Sequence, residues 1–338
     1  MTIKDVAEHC GVSITTVSRV LNNHPDVRES VRARVMQAVR DLHYVPNNSA
    51  RDLSKSQSDT IGVVLRGATN PFLTSVLRSI EQAVDAAGYT MALQQIEPGD
   101  DEIDAGAGLV RSKRLRGLIL LGGEFDYTAE RVANLDVPFV CCTFTGTFGS
   151  LQKDSYSSVS IDDYAEAYRA VSTLIQHGHR RIAVVLEAIN DRSISELRYR
   201  GYCDALRDAG IRPDPDLIAQ CGSFEMLDVY RATKRLIARC PDITALFTIS
   251  DLMAVAAIKA LHKKGLSVPQ DCSVISIDGI EMTRYIVPTL TSLVQPGEEL
   301  GTQAVNILVN VLEGKGPHRH LSLTTTLRDG ETVTAPKS

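Results

Sequence analysis

The side chains best suited to chemistry lie near the N-terminus, on one face of a short predicted helix. Five of them fall within eight residues: Thr15, Thr16, Ser18, Arg19 and Asn22. They are hydroxyl, amide or guanidinium groups, and no acid stands among them. Hydroxyl and amide groups bond phosphate oxygens, and a guanidinium can bond a guanine base through two hydrogen bonds. This face therefore indicates a surface that contacts nucleic acid.

Two short helices are expected to position this face. Apolar residues recur at helical spacing on both sides of Gly11, namely Val6, Ala7, Cys10, Val17, Val20 and Leu21. Gly11 accepts a positive φ in the turn, and Ser13 can cap the second helix. The stretch 3–22 is typical of a helix-turn-helix, which lays its second helix in the DNA major groove. The alternative is a helical hairpin inside a larger domain. A third helix over 28–43 completes a small headpiece.

Charge is unevenly distributed along the chain. Residues 1–57 hold eight Lys and Arg against six Asp and Glu, so the net charge of −5 divides into +2 there and −7 on the remainder. An anionic body leaves the positive head as the favourable contact for DNA. Because +2 is a weak electrostatic footprint, we expect a dimer to double it.

Length, composition and the absence of certain sequence motifs argue against several other classes of protein. The 338 residues, 43% of them apolar, suffice for two or three globular domains. There is no apolar run of 18 residues and no apolar leader, so we expect a cytoplasmic protein without a membrane partner. Neither the seven cysteines nor the eight histidines have metal-binding spacing, and no disulfide framework is indicated. No catalytic or cofactor-binding motif follows a predicted strand, so we expect no enzyme and assign no cofactor.

From residue 61 onward, β-rich segments alternate with amphipathic helices. A first series runs from IGVVL to FVCCTF, and a second runs from SVSID to SVISID. Such alternation predicts parallel sheets covered by helices on both faces, and two series predict two doubly wound lobes. Ligands of open α/β sheets bind outside the carboxyl ends of the strands, where Asp278 ends the segment SVISID.

Three segments carry a resemblance to a known family: DVAEHCGVSITTVSRVLN, LHYVPNNSARDLSKSQS, and IGVV followed by NPF. The sequence resembles the LacI/GalR family of bacterial transcriptional regulators along its whole length. The resemblance implies an all-α helix-turn-helix headpiece over 1–46, a hinge helix and linker over 47–58, and a periplasmic-binding-protein-like α/β core over 59–338. Lobe one is expected at about 59–158 and 293–318. Lobe two is expected at about 159–292 and 319–332, with a strand over 321–327.

The resemblance also implies roles for residues of the DNA-binding part. Base edges are expected to be contacted by Ile14, Thr15 and Arg19. DNA phosphates are expected to be contacted by Thr2, Ser13, Thr16, Ser18 and Asn22. Leu53 stands at the place of a leucine that wedges into the minor groove, where an apolar side chain unstacks a base step and kinks the duplex.

A further set is expected to line an effector-binding cleft between the lobes: Phe72, Thr143, Arg198, Phe224, Ser250 and Asp278. A carboxylate, an arginine and two rings suit a sugar or a sugar acid. Thr143 and Ser250 stand where many sugar-responsive relatives carry aspartate and asparagine, which argues against a simple neutral hexose. Each residue also has an ordinary interpretation, as core, helix cap or surface ion pair.

Together these expectations describe a ligand-responsive regulator, in this family most often a repressor. It would bind a near-palindromic operator as a homodimer and respond to a small sugar or sugar derivative. Three alternatives stay open. The effector could be a partner protein, or the core could have lost its ligand; less in keeping with the headpiece, the chain could be a solute-binding protein.

Overall fold

A computed structural model describes residues 2–21, 24–44, 58–189 and 192–337 of the chain. These residues form two compact units, Met1–Ser58 and Asp59–Ser338. The expected hinge helix over 47–58, with Leu53, lies outside the described residues except for Ser58. No helix within the described ranges is both long and apolar enough to span a membrane.

The described part of the first unit contains three helices: α1 (Ile3–Cys10), α2 (Ile14–Leu21) and α3 (Glu29–Asp41). Thr2 and Asp5 form a capping box at the start of α1, and Gly11 ends this helix with a φ of +60°. The three helices share one small core, which consists of Val6, Ala7, Cys10, Val17, Val20, Val35, Ala38 and Tyr44. The predicted helix-turn-helix is therefore confirmed.

Lobe one of the second unit is a parallel sheet with helices on both faces. Its strands are β1 (Thr60–Arg66), β2 (Thr90–Ile96), β3 (Gly117–Leu121), β4 (Phe139–Cys142), β5 (Ser157–Ile161) and β11 (His320–Leu323), in the order β2-β1-β3-β4-β5-β11. Its helices are α4 (Pro71–Ala86), α5 (Glu102–Lys113), α6 (Ala129–Val132) and α11 (Gly297–Leu312). One apolar cluster lies under α4 and α11, and another lies under α5.

Lobe two repeats this arrangement. Its strands are β6 (Ile182–Leu186), β7 (Ile218–Gln220), β8 (Ala245–Thr248), β9 (Ser273–Asp278), β10 (Thr291–Val294) and β12 (Thr326–Arg328), in the order β7-β6-β8-β9-β10-β12. Only the β10–β12 pair among those described is antiparallel. Its helices are α7 (Asp163–Gln176), α8 (Ile194–Asp208), α9 (Met226–Arg239) and α10 (Asp251–Lys263), with short 3-10 helices at Pro215–Leu217 and Glu281–Arg284. The prediction of two doubly wound lobes is confirmed.

The boundary between the lobes differs from the expected one in two places. Strand β5, expected to open lobe two, pairs with β4 and β11 in lobe one. The segment 321–327, expected as one strand of lobe two, is divided between β11 in lobe one and β12 in lobe two. The reason is packing, because Val159, Leu321 and Leu323 join the apolar cluster under α4 and α11.

Candidate functional site

Helix α2 presents the face that the sequence assigns to DNA bases. Val17 and Val20 turn inward and are buried, so the opposite side of the helix faces solvent. Ile14, Thr15 and Arg19 are all exposed, and Ile14 has 46% of its surface accessible although it is apolar. All three residues predicted to contact bases are therefore accessible to solvent on the outer face of α2.

The residues predicted to contact phosphates have local roles in the headpiece as well. The Thr2 backbone N–H donates to Asp5 Oδ2 at 2.7 Å, and the Asp5 N–H donates to Thr2 Oγ1 at 3.4 Å. These hydrogen bonds lower the pKa of Asp5. Ser13 Oγ accepts from the Thr16 N–H at 3.1 Å and caps α2, as predicted. Ser18 is half-buried. Asn22 lies outside the described residues.

Arg32 on α3 fixes the end of the recognition helix, and sequence reasoning missed it. Its Nη2 donates to the His24 carbonyl at 2.8 Å, and its Nη1 donates to the Val20 carbonyl at 3.5 Å. A guanidinium that bonds the last carbonyl groups of a helix satisfies acceptors that lack intrahelical partners. No sequence signal marks this role, because Arg32 belongs to a different element from the carbonyl groups that it contacts.

Asp278 occupies the crevice between the lobes. It ends β9 with a φ of +132°, and only 4% of its surface is exposed. Gln295 Nε2 donates to its Oδ1 at 2.9 Å, and Asn70 Nδ2 approaches its Oδ2 at 3.5 Å. Asn70 belongs to lobe one, where its Oδ1 also accepts from the Phe72 N–H at the start of α4. The Asp278 carboxylate therefore links lobe two to lobe one.

Arg198 lies beside Asp278 but is held by lobe two. Its Nε and Nη2 donate to Asp163 Oδ1 at 3.0 and 2.8 Å, and its Nη1 donates to the Ile249 carbonyl. The same Nη1 lies 3.9 Å from Asp278 Oδ1. Only 2% of Arg198 is exposed, so the alternative interpretation of Arg198 as part of a surface ion pair is excluded. The guanidinium orders the floor of the crevice.

Gly201 explains how α8 brings Arg198 so close to α7. A Cβ at this position would lie 2.3 Å from the Tyr164 carbonyl oxygen, well inside contact distance. Glycine therefore permits the two helices to cross closely. Since Arg198 lies one turn before Gly201 and Asp163 lies next to Tyr164, this crossing sets the Arg198–Asp163 ion pair.

Burial dominates the electrostatics of the crevice. It raises the pKa of Asp278 to about 7, with Arg198 opposing the effect and Asp251 adding to it. Burial likewise raises the pKa of Asp163, again against the influence of Arg198. Near neutral pH, Asp278 is thus poised between its charged and neutral forms. Additional hydrogen-bond donors or positive charge would favour the carboxylate.

The other predicted effector residues have mixed environments. Ser250 caps α10 by accepting from the Met253 N–H, so its hydroxyl is already engaged. Phe72 is buried in the apolar cluster under α4 and α11. Thr143 is half-buried at the end of β4 with a φ of +74°, and Phe224 is exposed in the loop before α9. The structure therefore brings Asp278 and Arg198 together, whereas Ser250 caps a helix and Phe72 belongs to the core. Three further residues contact Asp278 or Arg198 and were missed by the sequence reasoning: Asn70, Gln295 and Asp163.

The cysteine thiols and clusters of possible metal ligands are the other groups that could carry chemistry. All seven cysteines are free, and all except Cys221 are buried. Burial raises the pKa of Cys142, and that of Cys272, to about 12. Within the described residues, no group of His, Cys, Asp and Glu side chains is arranged to hold a metal ion.

Comparison with known proteins identifies relatives along the whole chain. Residues 2–47 match the model for bacterial regulatory proteins of the lacI family, and residues 171–333 match a periplasmic binding protein-like domain. The HTH-type transcriptional regulator MalR of Clostridium butyricum is 38% identical over 97% of both chains. A structure of the transcriptional regulator CelR in complex with cellobiose is 28% identical, with a TM-score of 0.72 over 98% of this chain and 100% of the other. The lac repressor dimer bound to operator and the anti-inducer ONPF is 25% identical, with a TM-score of 0.83 over 99% of both chains. The chain belongs to the LacI family of bacterial regulatory proteins.

Proposed function

We propose that this protein is a ligand-responsive transcriptional repressor that binds a near-palindromic operator as a homodimer and takes a small carbohydrate-like effector between its lobes. The observation that carries the proposal is the buried Asp278 carboxylate, which lobe two supplies and Asn70 of lobe one contacts. Two proteins of similar fold support it: CelR in complex with cellobiose, and the lac repressor dimer bound to its operator.

Operator reading is proposed for the exposed face of α2. Arg19 would bond a guanine, and Ile14 and Thr15 would contact neighbouring base edges. Thr2, Ser13, Thr16 and Ser18 would bond phosphates and fix the register of the helix, with Asn22 as a further contact. Leu53 would wedge into the minor groove between the two half-sites. These assignments rest on the exposure of α2 and on the family resemblance.

Effector recognition is proposed to centre on Asp278. Hydroxyl groups of a sugar or sugar derivative would take over the hydrogen bonds that Asn70 and Gln295 now make. Arg198 has its three nitrogen atoms directed at Asp163, Ile249 and Asp278, so it would mainly order the carboxylates. Thr143, Phe224, Phe72 and Ser250 would complete the wall around the ligand. Because Arg198 is already paired, the site favours a neutral effector over a strongly anionic one.

Coupling to DNA binding would follow from the link between the lobes. The chain passes between them after β5, after β10 and between β11 and β12, so the connections act as a hinge. An effector that contacts Asp278 better in one arrangement of the lobes shifts the population toward that arrangement, and only by its difference in affinity.

Dimerisation is proposed to involve exposed apolar side chains of lobe two. Val287 is 94% exposed and Tyr285 is 78% exposed, next to the 3-10 helix Glu281–Arg284. Side chains of this kind in full contact with water are typical of surfaces covered by a second subunit. Light scattering should give a dimer for the native protein. Tyr285→Glu should shift the equilibrium toward the monomer at micromolar concentration, whereas Tyr164→Glu on another face of lobe two should not.

Thermal unfolding against a panel of sugars, sugar acids, sugar phosphates and nucleosides tests the effector. A compound that binds only the folded protein stabilises it by about 2.7 kcal/mol at a concentration of 100 times Kd. We expect one compound to raise the Tm by several degrees, and Asp278→Ala to remove that effect while operator affinity in the absence of ligand is retained. A flat response across the panel would instead favour a partner protein as effector or a core without a ligand.

A further inference from the structure

Three crossings of the chain join the two lobes. They lie after β5, after β10, and between β11 and β12. In the third crossing, only Thr324 and Thr325 separate the last residue of β11 from the first residue of β12. Thr324 is exposed, whereas only 5% of Thr325 is exposed. The surroundings of Thr325 therefore show how lobe two holds this crossing.

Two side chains of α7 contact every polar group of Thr325. Its Oγ1 donates to Glu166 Oε2 at 2.6 Å, and its N–H donates to Glu166 Oε1 at 3.5 Å. Arg169 Nη1 donates to the Thr325 carbonyl and to Thr325 Oγ1, both at 3.2 Å. Hydrogen bonds made by a carboxylate or a guanidinium are stronger than those between neutral groups. We call Glu166, Arg169 and Thr325 the hinge clamp.

Burial makes the hinge clamp specific for one position of Thr325. Glu166 is 9% exposed, and Arg169 Nη1 lies 3.5 Å from its Oε2. A buried carboxylate is unfavourable unless charged and hydrogen-bonding partners compensate it. Displacement of Thr325 would remove two of the hydrogen bonds that Glu166 accepts. The clamp therefore holds the backbone of Thr325 in one conformation relative to α7.

The same turn of α7 also holds the first crossing. Strands β5 and β11 are parallel, with Ile161 opposite Leu323, so the two chain segments leave lobe one side by side. One of them enters α7 directly through Asp162, whose Oδ1 accepts from the Ala165 N–H. The other is the segment that the hinge clamp attaches to α7. The first turn of α7 thus fixes two of the three crossings to lobe two.

This turn also belongs to the floor of the effector crevice. Asp163, three residues before Glu166, accepts two hydrogen bonds from Arg198. Residues three apart in a helix are neighbours on its surface. Arg198 Nη1 in turn lies 3.9 Å from Asp278 Oδ1. A displacement of Asp278 or Arg198 can therefore reach Thr325 through one turn of a helix.

We propose that Glu166 and Arg169 are positioning residues of the hinge, which make Thr325 move as part of lobe two so that the third crossing bends at Thr324. Hinges absorb motion at a few residues of a connection. Without the clamp, the backbone of Thr325 could rotate as well, and the lobes would populate more relative orientations. The inference rests on the proposed response to a ligand, because a ligand shifts the population effectively only when few arrangements compete.

Single-molecule fluorescence energy transfer between the lobes tests the proposal on the full-length protein. Dyes are attached at Asp104→Cys on α5 and Lys263→Cys on α10, where both native side chains are exposed. The background is Cys221→Ser, because Cys221 is the cysteine that is not buried. Labelled protein exchanges subunits with an excess of unlabelled protein, so that a dimer carries at most one labelled subunit. Since neither operator nor effector is present, a failed search for an effector leaves the result unaffected.

Thr325→Val removes the hydroxyl group and keeps the shape of the side chain. We expect it to raise the fraction of molecules outside the native distance peak by about threefold or more. Thr325→Ser keeps the hydroxyl group and should retain the native distribution. Thr324→Val is the matched control in the same crossing, and it should also leave the distribution unchanged. Arg169→Gln changes a side chain that is 46% exposed, so it should fold and should broaden the distribution even if Thr325→Val does not fold.

Two results would overturn the proposal. The first is an unchanged distance distribution in both Thr325→Val and Arg169→Gln, even where urea unfolding shows a loss of stability. The contacts would then stabilise lobe two without positioning the hinge. The second is a change in Thr324→Val as large as the change in Thr325→Val, because any substitution in this crossing would then loosen the connection.

Discussion

Replacing Asp278 with asparagine measures how far ionisation of the buried carboxylate lowers the free energy of unfolding. Burial raises the pKa of Asp278 to about 7, against the favourable influence of Arg198. An aspartate in the unfolded chain titrates near a pKa of about 3.9. Because the folded pKa is the higher one, the contribution to stability is complete below about pH 4 and is lost as pH rises through about 7. At about 1.4 kcal/mol for each pH unit, the loss amounts to roughly 4 kcal/mol.

Asp278→Asn removes this titration and keeps an acceptor for Gln295, which donates to Oδ1 at 2.9 Å. The new amide NH₂ would face the NH₂ of Asn70, and this mismatch costs about 1 kcal/mol. The variant should therefore be about 3 kcal/mol more stable than the native protein at pH 8, and slightly less stable at pH 4. Urea unfolding of both proteins across this range measures the difference. Because Asp251 adds to the raised pKa of Asp278, the measured difference includes the change that the substitution causes in the titration of Asp251.

Asp271→Asn provides the control for this comparison. Asp271 is partly exposed, and its hydrogen bond from Lys337 lowers its pKa, so its substitution should not stabilise the protein as pH rises. Parallel pH profiles for the native protein and Asp278→Asn would refute the argument. They would mean that Asp278 is solvated or fully compensated by Arg198 in solution.

Further substitutions test the headpiece and the helix crossing. Arg19→Ala should weaken operator binding by about 1–3 kcal/mol and relax the preference at one base pair, as measured by fluorescence anisotropy on single-base operator variants. Arg32→Gln should lower headpiece stability by about 1–3 kcal/mol, because two carbonyl groups lose a charged donor. It should also weaken binding to specific and to non-specific DNA by similar factors. An unchanged melting profile would show that Arg32 does not position α2. Gly201→Ala should destabilise the core by about 1–3 kcal/mol through overpacking, which thermal unfolding would detect.

Local patterns predicted the elements of the fold but not every pairing between them. The spacing of Val17 and Val20 predicted α2 because a helix must bury one face. The segment SVSID, in contrast, is ambiguous by itself, since its serines alternate with apolar residues. Its place in lobe one depends on pairing with β11, which is distant in sequence. Leu321 and Leu323 of β11 pack in the same apolar cluster as Val159 of this segment. Such long-range pairing leaves no local signal.

The candidate site was predictable where a residue ends a strand or matches a family motif. Asp278 ends β9 and Arg198 matches a family motif, and the structure brings their side chains to 3.9 Å. Asn70 could not be predicted, because its role depends on how one lobe faces the other. Gln295 could not be predicted either, because its contact depends on the pairing register of β9 and β10. Ser250 was assigned to the ligand, although a serine that precedes an apolar helix is equally a capping residue, and capping is the contact that the structure contains.

The cost of ionised Asp278 also supplies a reason for its place in the proposed mechanism. In the absence of ligand, its oxygens are contacted by Gln295 and, at the longer distance of 3.5 Å, by Asn70 of the opposite lobe. A ligand that donates stronger hydrogen bonds stabilises the carboxylate, and it can do so only while both lobes enclose the site. The ligand therefore binds more tightly to the arrangement in which both lobes enclose the ionised carboxylate. A difference in affinity of this kind is what a shift in population requires. Because a proton competes for the same oxygens, effector affinity should rise with pH and level off above about 7.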